Sequence, residues 1–173
     1  VIRACLSNKI SRDSFMVTKF NFKIILYFFI FILNIIELKS DNEMTNIEIS
    51  ISKAFQSYND NELVIIDIRT VKEWKMTGVI PKSYLINMHS ENFSENPNFL
   101  NEVEFILNKV KNKNIAFICA SGARSEIVAN YFIKKNHKNI FHIPEGVVGK
   151  ENNGWLYLGH PIKVYTEESK EIN

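Results

Sequence analysis

A chain of 173 residues that is 46% hydrophobic, 23% charged and 12% aromatic is long enough for one domain with a sizeable core. Its formal net charge of +2 is too small to call for nucleic acid: the lysines are scattered among asparagines, and no basic patch is interleaved with aromatics. The two cysteines, Cys5 and Cys119, lie far apart in unlike contexts without a CxxC or Cys/His cluster, which argues against a disulfide framework and a zinc site. No metal and no cofactor is expected.

Taken in chain order, the first feature is Ile24 to Ile36, IILYFFIFILNII, interrupted only by Asn34 and preceded by Lys19 and Lys23. A cationic stretch ahead of a short apolar run is the pattern of a signal peptide, and the run is shorter than the roughly 20 residues of a spanning helix. Residues 1–40 are therefore read as a leader, either a cleaved signal peptide or a membrane anchor through residues 24–36. The expected location is exported, in the periplasm. The polar, basic residues 1–15 fall outside that pattern, and Met16 is read as the true start, so that Cys5 is absent from the mature protein.

After the polar linker SDNEMTN, short apolar runs alternate with helical patterns. Leu63 to Ile68, LVIIDI, is a continuous β-branched run suited to a strand covered on both faces. Asn96-Pro97 opens a helix as cap and first turn, with Phe99, Leu100, Val103, Ile106, Leu107 and Val110 along one side. Ile115 to Cys119 is a second buried strand, Arg124 to Lys135 a helix burying Ile127, Val128, Tyr131 and Phe132, and Asn139 to Ile143 a third strand. Strands alternating with helices give an α/β fold: a parallel β-sheet flanked by helices on both faces. The expected domain spans 45–166, followed by a polar tail at 167–173.

Ligands of open α/β sheets bind beyond the carboxyl ends of the strands, which points to CASGARS, Cys119 to Ser125. Gly122 permits a tight curl, and Ala120, Ser121 and Ala123 are small enough to leave a cradle of N–H groups. A helix starting near Arg124 adds free amides and the positive end of its dipole. A thiol held by such donors and by Arg124 is acidified, so that no separate base is needed. The competing reading is a strand-end cysteine and a small-residue turn with no chemistry. The enzymatic reading requires the sulfur to open onto the loop rather than lie in the apolar interior.

Three segments together resemble the rhodanese family from about Thr45 to Tyr165. DIRTVKEWKMTGVIPKS, Asp67 to Ser83, is similar to its first signature; CASGARS is similar to its active-site loop; PEGVVGKENNGWLYLGHP, Pro144 to Pro161, is similar to its closing segment. The resemblance implies a rhodanese-like three-layer fold and a sulfurtransferase. Cys119 would take a sulfane sulfur from a donor such as thiosulfate and pass it from a persulfide to cyanide or a thiol, or to a protein acceptor. The loop amides and Arg124 would stabilise charge on sulfur. Four residues separate Cys119 from Arg124, the short loop that the resemblance ties to sulfur transfer rather than to a phosphatase or arsenate reductase. A non-catalytic rhodanese-like binding module is the other alternative. Ser125 is read as a helix cap or a donor to the thiolate. Asp67 and Arg69 support the loop, with Arg69 paired to Glu73 in the structural reading. Two departures stand out: Val79 occupies a position where the family often has histidine, and Val147 and KENN loosen the closing glycines.

Overall fold

A computed structural model of the chain describes residues 47–90, 92 and 94–170, together with Tyr27 and Phe31. The leader reading therefore falls almost wholly outside the described residues. Tyr27 and Phe31 are helical and exposed, and among the described residues no helix is long and apolar enough to cross a membrane. Residues 1–45 and 46–173 separate into two compact units, and the second holds every strand among the described residues.

The elements of this second unit are α1 (Ile51–Asn59), β1 (Leu63–Asp67), α2 (Val71–Thr77), β2 (Tyr84–Leu85), α3 (Phe99–Lys109), β3 (Asn114–Ile118), α4 (Ala123–Lys134), β4 (Ile140–His142) and a final 3-10 turn, Glu167–Lys170. The four strands form a parallel sheet in the order β2-β1-β3-β4, with Asp67 level with Ile118 at the β1–β3 centre. Residue Glu48 extends the sheet beyond β4 through a parallel bridge to His142.

Side chains alternate across a strand, and the core divides accordingly. Leu63, Ile65, Ala116 and Ile118 pack on one face with Ile51 and Ala54 of α1 and with Trp155. Ile66, Ile115, Phe117 and Cys119 pack on the other with Phe99, Val103, Ile106 and Leu107 of α3 and with Val128, Ala129 and Phe132 of α4. The sheet is thus covered by helices on both faces, as the alternating pattern implies. A third cluster joins Trp74, Leu85 and Tyr165 to Val79, which is fully buried. That apolar surrounding explains why a hydrocarbon side chain suits the position where histidine is common in the resemblance.

Three expectations need correction. Ile127 (64% exposed) and Tyr131 (38%) are not buried, because they lie on the flank of α4 and line an open groove with Pro97 and Leu100. Leu100 is likewise exposed. Helix α3 starts at Phe99 rather than at Pro97; the Asn96 side chain accepts from the Asn98 N–H at 3.0 Å and donates to the Asn87 carbonyl at 3.0 Å. Residues 167–170 of the polar tail form the 3-10 turn, in which Ser169 is buried and which packs against β2. Residues 171–173 lie outside the described set.

Candidate active site

The sheet order itself selects a location. After β1 the chain adds β2 on one side, and then returns to place β3 on the other, so the connections diverge at the carboxyl ends of β1 and β3. A crevice at such a divergence is where open α/β sheets bind ligands. Asp67 ends β1 there, and Cys119 follows the last residue of β3.

Beyond Cys119 the loop's carbonyls are engaged on one side. The Cys119 carbonyl accepts from the Val147 N–H at 2.8 Å, and the Ala120 carbonyl accepts from Val148 and Gly149 at 2.9 and 3.0 Å. In a trans peptide the N–H points opposite to the preceding carbonyl, so the Ala120 and Ser121 amides are directed away from the closing segment. The Gly122 carbonyl accepts from the Glu126 N–H at 3.0 Å and from the Ser125 hydroxyl at 2.8 Å, which turns the Ala123 amide the other way. The N–H groups from Ala120 through Ser125 have no acceptor among the described residues. A run of amides without partners at the start of a helix suits an anion.

Two glycines allow loop and closing segment to approach. At Gly122 (φ +88°) a Cβ would fall on the Pro144 carbonyl, and at Gly146 (φ +72°) it would fall on the Ala120 carbonyl. Both positive φ angles also favour glycine on their own. Val147, which departs from the family's usual closing glycines, is fully buried, and its N–H holds the Cys119 carbonyl.

Cys119 is 1% exposed and is a free thiol. It is in phase with Ile115 and Phe117, so strand alternation turns it toward the α3–α4 layer, where it joins the apolar cluster. Ser125 is fully buried, with its hydroxyl hydrogen on the Gly122 carbonyl inside the first turn of α4.

The partners of the charged residues differ from those expected. Arg69 does not pair with Glu73. Its guanidinium meets Asp67 at 2.6 Å with both side chains fully buried, and also donates to Thr77 Oγ1 at 2.6 Å and the Gly78 carbonyl at 2.8 Å. The reason is direction: Asp67 and Arg69 are two residues apart on extended backbone and share a side. Glu73 is occupied elsewhere. It closes a capping box with Thr70 at the start of α2 and forms a two-pronged bond to Arg124, Oε1 to Nη2 at 2.6 Å and Oε2 to Nη1 at 3.0 Å. Burial alone would raise the Glu73 pKa, but the bonds from Arg124 and Thr70 and the Arg124 charge bring it down to about 2. The Arg124 pKa is raised by the hydrogen bond to Glu73, against burial, with further contributions from the charges of Glu73, Cys119 and Asp67. Glu73 is therefore the site neighbour whose partner sequence reasoning missed. The Thr70-x-x-Glu73 spacing is a visible capping signal, but nothing local ties it to a residue 51 positions away.

The model of the rhodanese-like domain family matches residues 51–152. The protein RP600 of Rickettsia prowazekii is 33% identical over 100 residues, covering 56% of this chain and 79% of that protein. A tRNA uridine(34) hydroxylase of Prochlorococcus marinus (strain MIT 9515) is 36% identical over 90 residues, 51% of this chain but only 28% of that enzyme. Among solved structures, Rv0390 from M. tuberculosis superposes with a TM-score of 0.55 at 22% identity, covering 68% of this chain and 97% of that one. A rhodanese-related protein from Thermoplasma volcanium gives 0.50 at 24% identity, covering 68% and 98%. At these identities the structures show a shared fold.

Proposed function

Because the chain belongs to the rhodanese-like domain family, we propose that it is a sulfurtransferase carrying sulfane sulfur as a persulfide on Cys119. The observation that carries this reading is the run of unpartnered N–H groups from Ala120 to Ser125, set directly after Cys119 at the start of α4. A thiolate or the persulfide formed from it supplies the negative charge those donors lack.

In the first step the Cys119 thiolate attacks the outer sulfur of thiosulfate. A new S–S bond forms, the old one breaks, and sulfite leaves with the bonding pair. In the second step cyanide or a thiolate attacks the outer sulfur of Cys119–S–S⁻, leaving as thiocyanate or as a new persulfide and returning the Cys119 thiolate. Two displacements replace one difficult transfer. The loop donors and Arg124 face charge in both steps, and neither step calls for a metal or a cofactor.

Cys119 lies in the apolar cluster at 1% exposure, against the requirement drawn from the sequence that its sulfur open onto the loop, and this favours a second reading, a rhodanese-like module that binds a partner without chemistry. Intact-mass measurement of the folded chain after thiosulfate treatment separates the two. The transferase gains one sulfur atom, loses it on adding cyanide, and gains none as Cys119→Ser. A folded chain that never gains sulfur from thiosulfate or a low-molecular-weight persulfide refutes the proposal and leaves the binding module.

A further inference from the structure

Glu73 performs two tasks with one carboxylate. The first is local: Oε2 accepts from the Thr70 N–H and hydroxyl, each at 2.8 Å, while the Glu73 N–H donates to Thr70 Oγ1 at 3.2 Å. The second is long-range, the two-pronged bond to Arg124 across 51 residues of sequence. A capping box needs only a side-chain acceptor at this position, and glutamine serves there as glutamate does. The fork-to-fork match with a guanidinium needs both carboxylate oxygens and their charge. The carboxylate thus does more than the helix start requires.

The far side of that bond is the site. Arg124 lies in the first turn of α4, five residues after Cys119, and within electrostatic reach of it. Of its five N–H donors, two meet Glu73, and the others have no acceptor among the described residues. An arginine fixed in advance loses less rotamer freedom when an anion arrives. The anchor is itself rigid, because α2 is held at its other end by Arg69, which reaches Thr77 and Gly78 from the buried pair with Asp67.

We infer that Glu73 is a positioning residue of the Cys119 site: its carboxylate holds the Arg124 guanidinium beside the loop before the donor binds, with the remaining N–H groups left for the oxyanion end of thiosulfate. The inference rests on the proposed sulfur transfer for its kinetic consequence, though not for the placement of Arg124. Glu73 acts through Arg124 alone and touches no reacting atom.

The test uses Glu73→Gln, which keeps the capping box, with Arg124→Ala and the double variant, all in the full chain. Persulfide formation with thiosulfate is followed by intact mass over time. Glu73→Gln is expected to lower the second-order rate constant by about tenfold or more, mainly through weaker saturation by thiosulfate. Arg124→Ala lowers it at least as far, and adding Glu73→Gln to Arg124→Ala changes nothing further, since residues that act as a unit are not additive. A wild-type rate in Glu73→Gln, or an undiminished Glu73→Gln effect in the Arg124→Ala background, overturns the inference. The Arg124 Nη–H resonances in ¹⁵N spectra give a readout independent of turnover, since these are the groups bonded to Glu73. They are expected to be resolved and slowly exchanging in the wild type and averaged by rotation in Glu73→Gln. If the wild type gains no sulfur, the sulfur-transfer reading fails, and Nη–H signals indifferent to Glu73→Gln then separately overturn the positioning role.

Discussion

Replacing Arg69 by methionine tests how the first signature supports the site. Asp67 is fully buried, and its carboxylate accepts from Arg69 through Nε at 2.9 Å, Nη2 at 2.6 Å and the backbone N–H at 3.1 Å. A thioether side chain in place of the guanidinium would leave only the backbone donor, stranding a buried carboxylate whose charge had been balanced. Breaking one half of a buried pair costs about 3–5 kcal/mol, and the Gly78 carbonyl's lost partner adds about 1 kcal/mol. A total of about 4–6 kcal/mol is a large part of the roughly 5–15 kcal/mol that holds a domain together. Urea unfolding followed by tryptophan fluorescence measures it, because Trp74 and Trp155 are both fully buried in the folded chain. The double variant Asp67→Asn/Arg69→Met, with no charge left to strand, should recover more than half of the loss. A loss under about 1 kcal/mol for Arg69→Met, or a double variant weaker than the single one, refutes the argument.

Gly122→Ala combines a positive φ with a Cβ placed on the Pro144 carbonyl, so it should cost about 2 kcal/mol or more and abolish sulfur gain; a melting curve and the mass assay check both. Glu73, held near pH 2 against an ordinary 4.5, is a carboxylate with a lowered folded pKa. Its contribution is present above about pH 4.5 and is lost as the pH falls through about 2, worth about 1–2 kcal/mol after allowance for its partial exposure. Acid unfolding of Glu73→Gln should be correspondingly flatter in that window. His142 is buried, neither ring nitrogen has a hydrogen-bond partner among the described residues, and burial lowers its pKa against the opposing pull of Glu126, Glu48 and Glu145. Its stability contribution should be intact above about pH 6.5 and fall as the pH drops through the lower folded value, and His142→Phe should remove that slope.

Where the sequence was legible, one local rule was enough. The β-branched run at 63–68 and the apolar run at 115–119 can only be covered strands, and their ends are right to within a residue. Helices α3 and α4 were visible from their period, though periodicity overstated burial at Leu100, Ile127 and Tyr131, because it marks an apolar side without saying how far a neighbour reaches over it. Helix α1 was legible too, since Ile51, Ala54, Phe55 and Tyr58 have helical spacing, but it is only nine residues long and follows the polar linker directly. Strand β2 is two residues long and is defined only by pairing with β1. The loop at 119–125 was legible because glycine and small residues between a strand and a helix constrain the backbone there. The Glu73–Arg124 bond was not, since it depends on α2 and the loop meeting in three dimensions.

The burial of Cys119 and the unpaired amides after it follow from one geometric fact. The residue is the last in phase with the inward-facing Ile115 and Phe117, and the first whose carbonyl leaves the ladder for the 147–149 segment. A residue placed one position earlier would have its backbone fixed in the sheet. At this position the side chain belongs to the same apolar cluster as Ile66, Phe117 and Val128, while the unpaired amides follow it in the chain. Hydrocarbon withholds water and does nothing for charge, and amides do the reverse. The proposed persulfide would sit where the one gives way to the other along the chain.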